Sequence, residues 1–250
     1  MPLGSYLPLP EHGRVFTGER QVRLGDSTPS GRLRLDAIAR YLQDVAEDDA
    51  TDAGWPSSIG WLLRRSALTV HQFPTLGERI RLDTFCSASA SRWAERTTTV
   101  TGAEGGSLQA TAIWIAIDAT SGRPTRVGEL FERLYLPSTD GRRASVRLSL
   151  PSPPSEAVEE ARDWPLRRTD LDILGHVNNA ISWAAVEDEM GRLDWLPQQA
   201  EVEHNGEITL GDSPRLASLK SDAGLDLWLV AAGRVLTSAR LQPGVPATDS

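Results

Sequence analysis

The chain predicts an α+β fold made of two similar halves, each a long helix followed by antiparallel strands, and three observations carry that expectation. Apolar residues recur at helical spacing in two places about 144 positions apart. Strand-like runs bounded by turn residues follow each of them. Between the two lies a Pro- and Ser-rich stretch without periodicity of either kind.

In the first half, Leu33, Leu35, Ile38, Ala39, Leu42, Val45 and Ala46 recur at three- and four-residue intervals, predicting an amphipathic helix that runs to about Gly54. Arg79 to Cys86 alternates Ile80, Leu82, Thr84 and Cys86 as a half-buried strand does, whereas Leu108 to Asp118 is apolar on both faces, as a central strand is. Pro74 to Glu78, Gly102 to Gly106 and Thr120 to Pro124 supply turns. Pro151-Ser152-Pro153-Pro154 marks the linker. Beyond it a helix is predicted from about Asn178 to Arg192, then strands near Glu201 to Asn205, Pro214 to Leu219, Leu225 to Ala231 and Val235 to Leu241.

The element order suggests duplication. Sliding by 144 residues sets Asp26 on Asp170, Gly31 on Gly175, Leu33 on Val177, Gln43 on Glu187 and Asp44 on Asp188, and a second register sets Thr75-Leu76-Gly77-Glu78 on Thr209-Leu210-Gly211-Asp212. One helix followed by several antiparallel strands buries its apolar stripe when the sheet curls round it, which is the hotdog arrangement. Each half alone is small for a stable core and would leave an open edge at its first strand. Two halves in one chain would therefore join into one continuous sheet with both helices packed inside, a tandem hotdog. The expected organisation is an N-terminal tail over 1–13, a non-catalytic N-terminal hotdog over 14–136, a linker over 137–160, a catalytic C-terminal hotdog over 161–243 and a tail over 244–250.

Composition excludes several classes. With 40% hydrophobic and 24% charged residues the chain is globular in character rather than disordered. No run approaches the ~18–20 apolar residues of a spanning helix, and Met1 to Gly13 lacks the basic and apolar regions of an export signal, so a cytoplasmic protein without membrane insertion is expected. A net charge of −8 disfavours nucleic acid as a partner. One cysteine, Cys86, and four histidines without paired spacing leave no disulfide framework and no metal site to expect. A Gly-x-Ser-x-Gly elbow, a phosphate loop and a Gly-x-Gly-x-x-Gly motif are all absent.

One segment departs from generic packing. Arg167-Arg168-Thr169-Asp170-Leu171-Asp172-Ile173-Leu174-Gly175-His176-Val177-Asn178-Asn179 places acid, imidazole and the unpaired first-turn amides of the second helix together. Such a helix end stabilises negative charge developing on an oxygen.

The pattern Asp-Leu-Asp-x-x-Gly-His-Val-Asn-Asn followed by a helix resembles the second-hotdog motif of the acyl-ACP thioesterases, the plant and bacterial enzymes that terminate fatty-acyl chains. Ile38 to Ala46, Trp61 to Arg65, Pro74 with Gly77-Glu78, and Trp93 to Arg96 resemble that family's first hotdog, so the likeness spans roughly Arg14 to Leu241. It implies that Asp172, His176 and Glu207 are the catalytic groups, and that no cofactor is needed. Leu174 stands where plant members carry asparagine, and Ile208 where a cysteine often follows the glutamate.

On this resemblance Glu207 would act as general base for a water, with His176 bonded to that water or to the substrate carbonyl, and Asp172 orienting the imidazole and the turn. An equally lawful route makes Asp172 the nucleophile through an acyl anhydride. Gly175, Val177, Asn178 and Asn179 would bind substrate, the amides of His176 and Val177 forming the oxyanion site. Thr28 and Arg32 occupy the first-half positions of Asp172 and His176, so one site per chain is expected. Leu42, Val45, Ala46, Trp55 and Trp61 are candidates for an acyl tunnel.

The expected partner is acyl carrier protein with its phosphopantetheine-linked acyl chain. Arg64-Arg65, Arg142-Arg143-Arg147 and Arg167-Arg168 are either ordinary solvated faces or a basic rim that steers that acidic carrier. A homodimer is left open. Two rival readings stand beside this one, an acyl-CoA thioesterase and a non-catalytic sensor of acyl thioesters.

Overall fold

The computed structural model describes residues 6–243, so the expected tail over 244–250 lies outside the described residues, as do the first five. The strands are β1 (Val15–Gln21), β2 (Ile59–Gln72), β3 (Arg79–Ser89), β4 (Trp93–Gly102), β5 (Ser107–Asp118), β6 (Arg162–Asp163), β7 (Gln199–His204), β8 (Arg215–Ser221), β9 (Gly224–Ala231) and β10 (Arg234–Gln242). Among the described residues these ten form one antiparallel sheet in the order β1-β3-β4-β5-β2-β7-β10-β9-β8-β6. Read outward from the β2–β7 seam, the two halves run in the same order. The halves are thus joined through β2 and β7, with Ser66 opposite Val202, and not at their first strands, which lie at the outer edges.

Two long helices, α1 (Leu35–Asp52) and α4 (Ala180–Leu193), pack against each other and against one face of the sheet, which defines a double hotdog. Leu35, Ile38, Ala39 and Val45 of α1 and Ala180, Trp183, Val186 and Met190 of α4 enter a single core shared by both halves. Polar pins fix the second helix: the Trp183 indole Nε1–H donates to Ser66 Oγ on β2 at 3.1 Å, and the Ser182 and Thr237 hydroxyls meet at 3.1 Å. Two shorter helices, α2 (Gly128–Leu134) and α3 (Ser155–Glu159), follow β5 and precede β6.

The 137–160 segment is mostly without regular structure, as its lack of periodicity suggests, but it contains α3 and is tied down along its length. The amides of Ser149 and Leu150 donate to the buried Glu203 carboxylate at 2.7 and 3.1 Å, Trp93 Nε1 donates to the Ala144 carbonyl, and Trp228 Nε1 to that of Pro151. Successive strand residues face opposite sides. Val202 on β7 joins the helix-covered core while Glu203 receives the linker, so the linker covers the other face.

The duplication extends to single hydrogen bonds. Each long helix is preceded by a short 3₁₀ turn, Leu24–Asp26 or Arg168–Asp170, closed by the same aspartate at its third position. Thr28 N–H donates to Arg32 O and Asp172 N–H to His176 O, both at 2.8 Å. Arg34 N–H donates to Asp26 O and Asn178 N–H to Asp170 O. Leu33 N–H donates to Pro74 O at 2.9 Å and Val177 N–H to Ile208 O at 2.8 Å, which is the second register.

Candidate active site

The turn before α4 builds the site. Gly175 takes a left-handed φ of +80°, which costs glycine nothing and lets the chain reverse between Asp172 and His176. Its amide donates to Asp172 O at 3.0 Å, and Asp172 Oδ1 accepts the amides of Leu174 at 2.9 Å and His176 at 3.2 Å. The aspartate therefore orients the turn through backbone, and no hydrogen bond joins it to the imidazole. The ring points instead toward the loop after β7, where His176 Nε2 lies 3.5 Å from Glu207 Oε2. Their side chains are 36% and 63% exposed, which leaves room for water at the pair. Glu207 lies past the end of β7 rather than within a strand.

The two amides expected to hold an oxyanion are already engaged, that of His176 donating to Asp172 Oδ1 and that of Val177 to Ile208 O; the Asn178 amide donates to Asp170 O. Asn178 Oδ1 accepts the Ala180 amide at 2.8 Å. Among the hydrogen bonds of the described residues, the Asn179 N–H enters none. Exposed Leu174 stands at the family's asparagine position, which therefore holds no side-chain amide.

A cavity of about 470 Å³ opens beside this turn, with Asp172, Ile173, Asn178 and Asn179 on one wall and α1 with the first-half strands on the other. His176 and Glu207 are not among its lining residues. Of the tunnel candidates, Ala46, Trp55 and Trp61 line it; Val45 is fully buried in the core, and Leu42 borders only a small neighbouring pocket of about 30 Å³. Sequence reasoning missed Phe131 on α2 and Tyr135 just after it, which complete an aromatic box with the two tryptophans. The Trp55 and Trp61 rings are 5.3 Å apart, as are those of Phe131 and Tyr135. No periodic signal links so short a helix to a loop and a strand some 70 residues earlier.

Behind the box Asp49 is buried between two arginines, Arg14 Nε at 2.6 Å and Arg96 at 2.7 Å. Burial and the Asp49 charge push the Tyr135 hydroxyl up to about 12, and burial pushes the Cys86 thiol on the cavity wall up to about 12, so both stay protonated. Of the arginines left open between solvated faces and a basic rim, Arg64, Arg65 and Arg142 are partly buried ties, donating to the His204 carbonyl, pairing with Glu201 and donating to the Ser87 carbonyl, while Arg167 pairs with Asp170 from an exposed position. Arg143, Arg147 and Arg168 are exposed. His204, beyond the site, is buried.

The fold and this turn define a double-hotdog protein, and similarity to known proteins gives the family. Residues 13–135 match the acyl-ACP thioesterase N-terminal domain and residues 154–226 the acyl-ACP thioesterase C-terminal domain, so the chain belongs to the acyl-ACP thioesterase family. An uncharacterized protein of Mycobacterium tuberculosis is 27% identical over 236 residues, covering 93% of this chain and 94% of that one. Two solved structures share the fold. An acyl-ACP thioesterase from Bacteroides thetaiotaomicron aligns with a TM-score of 0.74 at 18% identity, over 91% of this chain and 97% of that one. The 12:0-ACP thioesterase from Umbellularia californica aligns at 0.73 and 18%, over 91% and 93%.

Proposed function

We propose that the protein hydrolyses a fatty acyl thioester carried on acyl carrier protein, releasing the free acid and the carrier thiol. The observation that carries the reading is the convergence of His176 and Glu207, distant in sequence, at 3.5 Å beside the turn that borders the aromatic-walled cavity. The acyl chain lies among Trp55, Trp61, Phe131 and Tyr135, leaving its thioester carbon at the turn. A water between the pair gives its proton to the imidazole–carboxylate couple and attacks that carbon. The Asn179 amide, unlike those of His176 and Val177, is free to receive the oxyanion. Collapse of the intermediate breaks the C–S bond, and the thiolate leaves readily, taking a proton from His176.

Asp172 supports a second route, because it borders the cavity while only its Oδ1 is occupied by backbone donors. In that route the free oxygen attacks the thioester and water then cleaves the anhydride. Single turnover in ¹⁸O-water that places label in Asp172 would establish the anhydride route by attack at the aspartyl carbon, whereas attack at the acyl carbon labels only the free acid, as direct hydrolysis does.

The main test is hydrolysis of acyl groups of increasing length on acyl carrier protein and on coenzyme A. His176→Ala and Glu207→Gln are each expected to lower kcat by roughly 10²–10⁴. Each methylene that the cavity accepts contributes about 0.8 kcal/mol, so kcat/KM rises about fourfold per carbon until the cavity is full. Wild-type turnover unaffected by both substitutions would sink the reading. A preference for coenzyme A would move the carrier, and no turnover on any carrier would leave the sensor.

A further inference from the structure

Among the polar side chains of the cavity wall, this reading leaves Gln43 idle. Gln43 of α1 borders both the 470 Å³ cavity and the small pocket beside it, in each case together with Asn179. Among the hydrogen bonds of the described residues its amide takes none.

The repeat shows what that position holds when it is filled. Adding 144 takes Arg32 to His176, Leu35 to Asn179 and Gln43 to Glu187; adding 134 takes Phe73 to Glu207. Three first-half members, Arg32, Leu35 and Phe73, gather with Glu187, the second-half partner of Gln43. Glu187 reaches across from α4 to the N-terminus of α1, where its Oε2 accepts the Leu35 amide at 2.9 Å, and Arg32 forms an ion pair with the same carboxylate. The Arg32 guanidinium also sits over the Phe73 ring, 4.8 Å from its centroid. Arg32 over Phe73 is thus the first-half counterpart of His176 beside Glu207. In that half an anionic oxygen supplied by the protein already sits on the helix-end amide.

The second half carries the same scaffold with the plug removed. Where Glu187 brings a carboxylate, Gln43 brings a neutral amide, and the Asn179 N–H matching that of Leu35 makes no hydrogen bond among the described residues. A carboxylate at residue 43 could only accept hydrogen bonds, and would compete with an incoming oxygen for that N–H and repel its growing charge. An amide can donate to it.

We propose that Gln43 is a catalytic residue of this site, its side-chain N–H donating with the Asn179 amide to the thioester carbonyl oxygen in the place that Glu187 Oε2 fills in the first half. The assignment rests on the thioesterase reading. Removing one such donor lowers kcat by about 10²–10³ with little change in KM. Gln43→Ala is expected to show that loss, and Gln43→Glu a loss at least tenfold deeper, because it restores the plug.

The test measures steady-state kinetics on the acyl carrier substrate that wild type prefers, and calorimetric binding of decanoate, whose carboxylate fits the same oxygen position. Decanoate affinity is expected to fall at least tenfold more in Gln43→Glu than in Gln43→Ala, and His176→Ala is the control that keeps binding while losing turnover. Gln43→Glu within threefold of wild type in both measurements overturns the inference and leaves the thioesterase reading intact. Should wild type hydrolyse no thioester, that reading fails, and the decanoate series still decides whether Gln43 governs the oxygen position.

Discussion

His204 is the clearest case of a side chain whose environment sets its charge. It is buried at the end of β7 with Arg64 on its own carbonyl, and both burial and that positive charge push its imidazole down to about 4. In the unfolded chain a histidine titrates near 6.5, so between these values the unfolded state binds more protons, and stability falls as pH drops from about 6.5 to 4. Glu189 acts lower. Arg192, Ser218 and Arg162 hold its carboxyl at about 2, so its contribution is lost as pH falls from about 4.5 toward 2. Urea midpoints against pH are expected to show both windows, with His204→Phe abolishing the upper one and sparing the lower. A variant that keeps the upper window would refute the assignment. At this scale the local pattern before α4 singled out Asp172 and His176 as candidates, whereas Glu207, 31 residues further on, came only from the family resemblance. It did not reveal which amides stay free, since that depends on partners such as Ile208 and Asp170 that the local pattern does not name.

The long helices and most second-half strands were legible as elements because their apolar periodicities are strong. The structure places α1 at Leu35–Asp52 and α4 at Ala180–Leu193, close to the predicted limits. β1, β2 and β4 were not singled out as strands. β4 reads Trp-Ala-Glu-Arg-Thr-Thr-Thr-Val, whose buried Thr97, Thr98 and Glu95 blur the alternation that betrays a strand. The contact between Glu187 on α4 and the start of α1 was likewise invisible, although the repeat had aligned Glu187 with Gln43. Glu187→Ala would strip the Leu35 amide of its acceptor and leave half-buried Arg32 without a counter-charge. The expected cost is about 2–4 kcal/mol, read as a lowered thermal midpoint. A shift indistinguishable from zero would mean that the contact is incidental.

Across the whole molecule, one core takes residues from both helices and both halves of the sheet, and the β2–β7 seam makes that sheet continuous. Neither half can separate without exposing a long strand edge and one flank of a helix. Unfolding in urea is therefore expected to be a single transition, with tryptophan fluorescence and far-ultraviolet circular dichroism superimposing. Two resolved steps would show that the halves are independent. Joining of the halves was foreseen, but its location was not, because hairpin order cannot be read from strand periodicity. The filled end of α1 also sets a stoichiometry. On the proposed reading each polypeptide takes up one acyl group, so saturation comes at one equivalent, and half-of-sites behaviour, which requires two interchangeable mouths, has no basis within a single chain.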